Sequence, residues 1–247
     1  MLDGYRYLCD SGKKALLRAD CSDTVASALL TRAGAVADSQ SGRAPVYRFA
    51  FERGEGIVRD YRRGGLLARV NRDLYLGNRP LAELRIVDFL WRQGFPVPEP
   101  LGICWWRQLG LLRGRIATKA LDAIHLQDFL KTGSPSPDLL RRVGETISTM
   151  HGLGVRHGDL QVRNILVAGD DPYIIDFDKA RRQAHLSSRG RAANLYRLRR
   201  SFEKNRLESQ WYDAIVAGYG PVEHHALIAL AYAVRSSISG PRRGNST

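Results

Sequence analysis

The chain has 247 residues and a formal net charge of +13, which comes from 32 arginines and 6 lysines against 25 acidic residues. That length allows one large domain or two lobes with a real core. No run approaches the ~20 apolar residues of a membrane helix. The N-terminus lacks the basic-then-apolar layout of a signal peptide. Cys9, Cys21 and Cys104 are odd in number and show no metal-ligand spacing, which predicts thiols in a reducing cytoplasm. The excess positive charge favours anionic partners: nucleic acid, phosphorylated substrates or an acidic membrane surface. The arginine clusters at Arg62-Arg63, Arg181-Arg182 and 197–200 are the candidates for such contacts.

Residues 1–40 carry little pattern beyond a short helix at 24–30, and 38–43 read as a polar turn. Strands at 46–50 and 56–61 make a hairpin across 51–55. The preceding segment 41–47, with Gly42 and Arg43, lies where a nucleotide-covering loop would lie; a plain hairpin turn is the alternative. Arg59, in Gly-Ile-Val-Arg, occupies the register of the lysine in the kinase V-A-I-K strand, which contacts phosphates and pairs with a helix glutamate. No lysine occurs between Lys14 and Lys119, so arginine must serve if anything does. A helix follows at 80–91. Its Glu83, Ile86, Val87 and Leu90 stand at i, i+3, i+4 and i+7, so Glu83 lies on the inward face and needs a partner. Arg59 is the natural candidate; the alternatives are a solvent-reaching Glu83 on the edge of the stripe and an exposed strand arginine at 59.

The proline-rich run 94–100 is an extended connector into strands near 103–106 and 112–118. Residues 119–122 would be a hinge whose backbone could bind an adenine. Ser136, Pro137 and Asp138 start a helix that runs through Leu139, Leu140, Val143, Ile147 and Met150 to His151, with Gly152 and Gly154 ending it.

The most informative segment comes next. His157-Gly158-Asp159-Leu160 and Asn164 have the H-x-D-L-x-x-x-N spacing of a kinase catalytic loop. Asp176 follows in an Asp-Phe dipeptide, in the place of the D-F-G metal ligand. Phosphoryl transfer needs an acceptor for the substrate hydroxyl proton and oxygen ligands for Mg²⁺ beside the phosphates of ATP. Asp159 suits the first role; Asn164 and Asp176 suit the second. His157 reads as a structural, hydrogen-bonding histidine. Strands at 165–167 and 173–177 flank a turn at 168–172.

Beyond them, 181–191 is a polar, basic connector, and 194–206 is a basic, aromatic helix. Helices at 211–219 and 227–234 follow, and 236–247 read as a disordered tail. No A-P-E motif or long activation segment follows Asp176, which favours a small or lipid-linked anionic acceptor over a protein substrate. No zinc, OB or helix-turn-helix signature is present, so nucleic acid is not expected.

These motifs resemble the Kdo kinases, small lipopolysaccharide core kinases of the protein-kinase-like superfamily. The likeness rests on 58–66, 94–100, His157–Leu160 with Asn164-Ile165-Leu166, 175–179 and 194–204, and spans roughly residues 40–220. Gly158 stands where that family commonly has alanine, and Arg163 where it has histidine. The resemblance implies an α+β, bilobal protein-kinase-like fold: a small antiparallel N-lobe sheet with a helix (residues 1–118), a mostly helical C-lobe (119–235) and a tail (236–247). It implies ATP and Mg²⁺ as cofactors. It also implies phosphorylation of the 4-hydroxyl of Kdo on a lipid A precursor, with peripheral contact to the cytoplasmic face of the bacterial inner membrane. A heptose or other small-molecule kinase of the same fold is the alternative enzyme. A nucleotide- or lipid-binding pseudokinase is the alternative of another class.

Overall fold

In the computed structural model the chain divides after Asp122 into two units. The structure describes residues 2–38, 46–61, 78–109, 111–133 and 135–221. Gly42, Arg43, Arg62, Arg63, the expected helix at 227–234 and the tail at 236–247 lie outside them.

Hydrophobic residues at both odd and even positions give the first unit a sheet buried on two faces. Its elements are β1 (Tyr5–Asp10), β2 (Lys13–Arg18), α1 (Asp23–Thr31), β3 (Val36–Asp38), β4 (Val46–Phe51), β5 (Gly54–Asp60), α2 (Arg79–Arg92), β6 (Pro100–Gln108) and β7 (Leu111–Lys119). The seven strands run antiparallel in the order β1-β2-β6-β7-β5-β4-β3. Ala15, Leu17, Val58, Leu101, Cys104 and Ala117 pack on one face against Val25, Ala28 and Leu29 of α1. Leu16, Ile103 and Ile116 pack on the other face with Tyr5 and with Leu84 of α2. The β1-β2 hairpin corrects the expectation that little beyond a short helix lies before residue 40. Both faces of β2 are covered, so Ala15-Leu16-Leu17-Arg18 are all buried and show no alternation.

Local signals fix the helices. The Asn78 side chain accepts from Leu81 N at 3.3 Å and starts α2, with proline in its first turn. The C-terminal carbonyls of α1 receive cations: Arg115 Nη1 donates to Leu29 O (3.0 Å) and Leu30 O (2.9 Å), and Lys13 Nζ to Leu30 O (2.6 Å). At the end of β7, Lys119 N donates to Glu99 O and Ala120 N to Glu55 O, so the first two backbone donors of the expected hinge are used inside this unit.

The second unit comprises β8 (Ile124–His125), α3 (Leu126–Thr132), α4 (Pro137–Gly152), β9 (Val155–Arg156), a 3₁₀ turn (Val162–Asn164), β10 (Ile165–Ala168), β11 (Asp171–Ile174), β12 (Arg181–Arg182), α5 (Ser188–Lys204) and α6 (Ser209–Tyr219). Ser136 caps α4 by accepting from Leu139 N at 3.1 Å. Helices α4 and α6 meet backbone to backbone. A Cβ on Gly144 would lie 1.9 Å from Ile215 O, and one on Gly218 would lie 2.1 Å from Arg141 O.

Two expectations are corrected here. The hairpin turn is shorter than 168–172, because Pro172 belongs to β11 and pairs with Val167. β11 is an edge strand, where the missing proline N–H costs no ladder bond. The segment 181–191 is not wholly a connector either. Arg181 and Arg182 pair with β9, and α5 begins at Ser188 with Ser187 accepting from Gly190 N at 3.2 Å. Among the described residues no helix is long and apolar enough to cross a membrane.

Candidate active site

In the second unit, the chain leaves β9 and enters the loop that begins at His157. This imidazole is fully buried. Its Nδ1 lies 3.3 Å from Asp159 N, which donates to it. That assigns the proton to Nε2, which donates to Ile175 O at 2.9 Å. Burial pushes its pKa below the ordinary histidine value, so it stays neutral, and its ring packs on Phe177 at 4.8 Å. His157 thus ties the Asp159 loop to the Asp176 segment. It has no lone pair left for proton transfer.

A second tie joins the same two segments. Ile175 N donates to Asn164 O at 3.0 Å, continuing the β10-β11 register by one pair. The Asn164 amide donates through Nδ2 to Asp159 O at 2.9 Å, which leaves its Oδ1 as an oxygen ligand. Asp176, beside Ile175, has φ +67°, a left-handed conformation that turns the chain out of β11. An amide oxygen and a carboxylate are hard donors, and they suit an Mg²⁺ ion that keeps phosphate and water in its shell. Among the described residues no group of three or more His, Cys, Asp or Glu side chains could hold a metal, so an all-protein cage is not what these residues offer.

Asp159 is held on every side. Lys179 Nζ donates to its Oδ2 at 2.7 Å. Arg197 Nη1 and Gln161 Nε2 each donate to its Oδ1 at 3.0 Å. Burial alone would raise this carboxyl, but Lys179 and Arg197 outweigh it and hold the pKa below the usual carboxylate range. The group is therefore ionised at neutral pH and suited to orient a hydroxyl. Gly158 makes the approach of Lys179 possible. It has φ +78°, and a Cβ there would lie 2.3 Å from Lys179 O.

The loop hangs from α5 at three points. Asn194 Oδ1 accepts from His157 N (3.0 Å), Arg197 donates to Asp159, and Ser201 Oγ accepts from Val162 N (3.1 Å). Positions 194, 197 and 201 stand at i, i+3 and i+7, on one face of the helix. Behind them His151 is fully buried, with Nε2 at 3.1 Å from Asn194 Oδ1 and Nδ1 at 2.8 Å from Tyr219 Oη. Burial lowers the His151 pKa to about 4.

Sequence reasoning assigned no site role to Asn194, Ser201, His151 or Lys179. It placed Arg197 in a basic cluster facing an anionic acceptor without foreseeing its bond to Asp159. The available signal was the polar face of an otherwise apolar helix stripe, Leu195, Leu198 and Phe202.

The first unit holds the other polar pair. Arg59 lies on the α2 face of β5, one residue after the buried Val58, which faces α1. Its Nη2 donates to Glu83 Oε1 at 2.7 Å, and Tyr61 Oη donates to Glu83 Oε2. The Glu83 side chain is only 2% exposed, against 27% for Arg59. Both carboxylate oxygens are satisfied, as a buried carboxylate requires.

The model of the family described as "Lipopolysaccharide kinase (Kdo/WaaP) family" matches residues 27–219. A 3-deoxy-D-manno-octulosonic acid kinase of Pasteurella multocida is 36% identical over 181 residues, covering 66% of this chain and 74% of the relative. The enzyme of the same name from Vibrio vulnificus is 34% identical over 201 residues, covering 74% of this chain and 83% of the relative. Among solved structures, one described as WaaP in complex with acyl carrier protein matches with a TM-score of 0.54 and 20% identity, over 82% of this chain and 87% of that one. It is similar in fold.

Proposed function

We propose that this chain, which belongs to the lipopolysaccharide kinase (Kdo/WaaP) family, transfers the γ-phosphoryl group of ATP to the 4-hydroxyl of 3-deoxy-D-manno-octulosonic acid (Kdo) on a lipid A precursor. The observation that carries the reading is the loop in which Asp159, Asn164 and Asp176 are tied together through His157 and Ile175. Relatives that carry the name Kdo kinase narrow the acceptor.

In this reading each group has one task. Asp159, kept ionised by its cations, accepts a hydrogen bond from the acceptor hydroxyl and aims its oxygen at phosphorus. Asn164 Oδ1 and the Asp176 carboxylate would hold Mg²⁺, which would neutralise charge on the ATP phosphates when bound. Arg59, kept in place by Glu83 and Tyr61, contacts phosphate oxygens in the role usually taken by lysine. Gly42 and Arg43 are assigned to the loop that covers the nucleotide.

The acceptor is membrane-linked, and the enzyme works peripherally at the cytoplasmic face of the inner membrane. The net charge of +13 supports this, as do the exposed Arg181, Arg182 and Arg200. Each basic residue near an acidic bilayer contributes about 1 kcal/mol.

The test is transfer from radiolabelled ATP to lipid A precursors bearing or lacking Kdo. Label confined to the Kdo-bearing precursor is expected. Label only on a heptose-extended acceptor would favour a heptose kinase, and no label on any acceptor would favour a pseudokinase. Co-sedimentation with anionic vesicles at low and high salt tests the membrane part. Protein that stays in solution at low salt would argue for a soluble sugar acceptor.

A further inference from the structure

We propose that Arg197 and Lys179 form an anion subsite that grips the carboxylate of the acceptor sugar acid beside the hydroxyl that Asp159 orients. The proposal rests on the Kdo-kinase reading above and names what in this site would recognise that sugar.

The charge balance around Asp159 is the first argument. One carboxylate holds two full cations, with the Arg197 and Lys179 side chains 51% and 56% exposed and Asp159 17% exposed. Ion pairs this exposed contribute little to stability. Stability therefore does not explain why one carboxylate carries two of them. A substrate does. A sugar acid approaching an ionised Asp159 brings a second negative charge into a few ångströms. Two cations against two carboxylates close that balance, whereas Asp159 alone would repel the acceptor.

The second argument is donor capacity. Arg197 spends one Nη1–H on Asp159, and Lys179 one of its three N–H groups. The rest of the guanidinium fork remains to receive a carboxylate with two parallel hydrogen bonds.

The third argument is preorganisation. Arg197 sits between two fixed points of α5, Asn194 bonded to His157 N and Ser201 bonded to Val162 N. Lys179 is held by the close passage of its backbone over Gly158. A recognition site needs cations fixed in this way from two separate elements. Arg199, two residues along the same helix, shows the contrast: it pairs with Glu203 and lies over the Tyr212 ring.

The experiment compares two acceptors with four proteins. The acceptors are the Kdo-bearing lipid A precursor and the same molecule with the Kdo carboxylate converted to its methyl ester. The proteins are wild type, Arg197→Gln, Lys179→Gln and Arg197→Lys. Wild type should lose about 10- to 100-fold in kcat/KM on the ester, the loss expected when charge-assisted, bidentate hydrogen bonds to the acceptor are removed. Arg197→Gln and Lys179→Gln should each lose a similar factor on the acid and discriminate acid from ester by less than about threefold. Their ATP KM should stay near wild type. Arg197→Lys should recover part of the preference. Thermal midpoints of all four check folding, and calorimetric titration of free Kdo into wild type and Arg197→Gln reads the subsite without turnover.

An acid-over-ester preference that survives Arg197→Gln would overturn the proposal. So would a defect confined to ATP KM, which would move the cations to the transferred phosphoryl group, or an equal fall in kcat on both acceptors, which would leave Arg197 a positioning residue only. Wild type that phosphorylates both forms equally defeats the subsite alone. Wild type that phosphorylates neither defeats the Kdo-kinase reading and the subsite with it.

Discussion

Glu83 and Asp159 are both carboxylates held by an arginine, yet they are built in opposite ways. Glu83 sits on a helix and Arg59 on a strand, and the pair is 2% and 27% exposed. Packing of regular elements puts them together, and the carboxylate is shut away from water. Asp159 sits on a loop, 17% exposed, with partners that are more than half exposed. Its backbone is secured by side chains reaching to main-chain atoms: His157 to Ile175, Asn164 to Asp159, Asn194 to His157 and Ser201 to Val162. The difference separates two kinds of cost. Breaking the first pair leaves a buried charge and threatens the fold. Breaking the second costs chemistry and little stability.

The largest expected effect tests the second half of that contrast. Asp159→Asn should lower kcat by about 10²–10⁴, and Asp176→Ala should abolish turnover and metal-dependent ATP binding. In Asp159→Asn the unfolding free energy should stay within about 1 kcal/mol of wild type, since the cations it pairs with are more than half exposed. Chemical denaturation beside steady-state kinetics checks this. A variant that unfolds as it loses activity would erase the distinction.

Arg59→Ala tests the first half. Leaving Glu83 buried without its cation should destabilise the first unit by about 3 kcal/mol and weaken ATP use. Glu83→Gln should hurt as well, and the double variant should fall short of the sum. Strict additivity in the cycle would mean that the two side chains act independently.

Acidification probes the polar network behind the loop. His151 and His157 both titrate below the ordinary value in the folded chain, so protons bind the unfolded chain more readily. The stabilising contribution of His151 is complete above about pH 6.5 and is lost as pH falls toward 4, and that of His157 is lost in the same direction. For His151 the loss amounts to roughly 3 kcal/mol. Unfolding curves at stepped pH should show the second unit weakening first. Replacing His151 with Gln should flatten that dependence.

The smallest effect is local. Ser136→Ala removes the cap of α4 and should cost about 1 kcal/mol with kcat unchanged. An activity loss larger than the stability loss would mean that α4 reaches the loop more directly than through His151.

The same contrast explains what the sequence disclosed. Arg59 and Glu83 were legible as a pair because both lie on elements whose periodicity tells which way a side chain points. Asp159, Asn164 and Asp176 were legible by spacing, because the motif is local. Asn194, Ser201 and Lys179 were not. They act on the loop from 20 to 39 residues away along the chain, and nothing in their own neighbourhood marks them. Arg197 was legible only as one of a basic cluster, since in an arginine-rich helix one arginine with a partner on Asp159 looks like the others. β2 was hidden by burial on both faces, and the first two turns of α5 by Gly190 and a polar run. Pro172 obscured the start of β11, which tolerates it as an edge strand.

The suspension of the loop from one face of α5 has a kinetic consequence. The amide hydrogens of His157 and Val162 are bonded to side chains of Asn194 and Ser201, not to a neighbouring strand. Neither amide can reach solvent deuterium unless the loop peels away from α5 or the helix itself opens. In a hydrogen-exchange experiment both should therefore acquire deuterium at the pace of the α5 backbone, slower than a loop of this length ordinarily would. A molecule that tightened its hold on Arg197 would slow all of them together. The helix and the loop would then answer as one unit, in a signal read without any turnover.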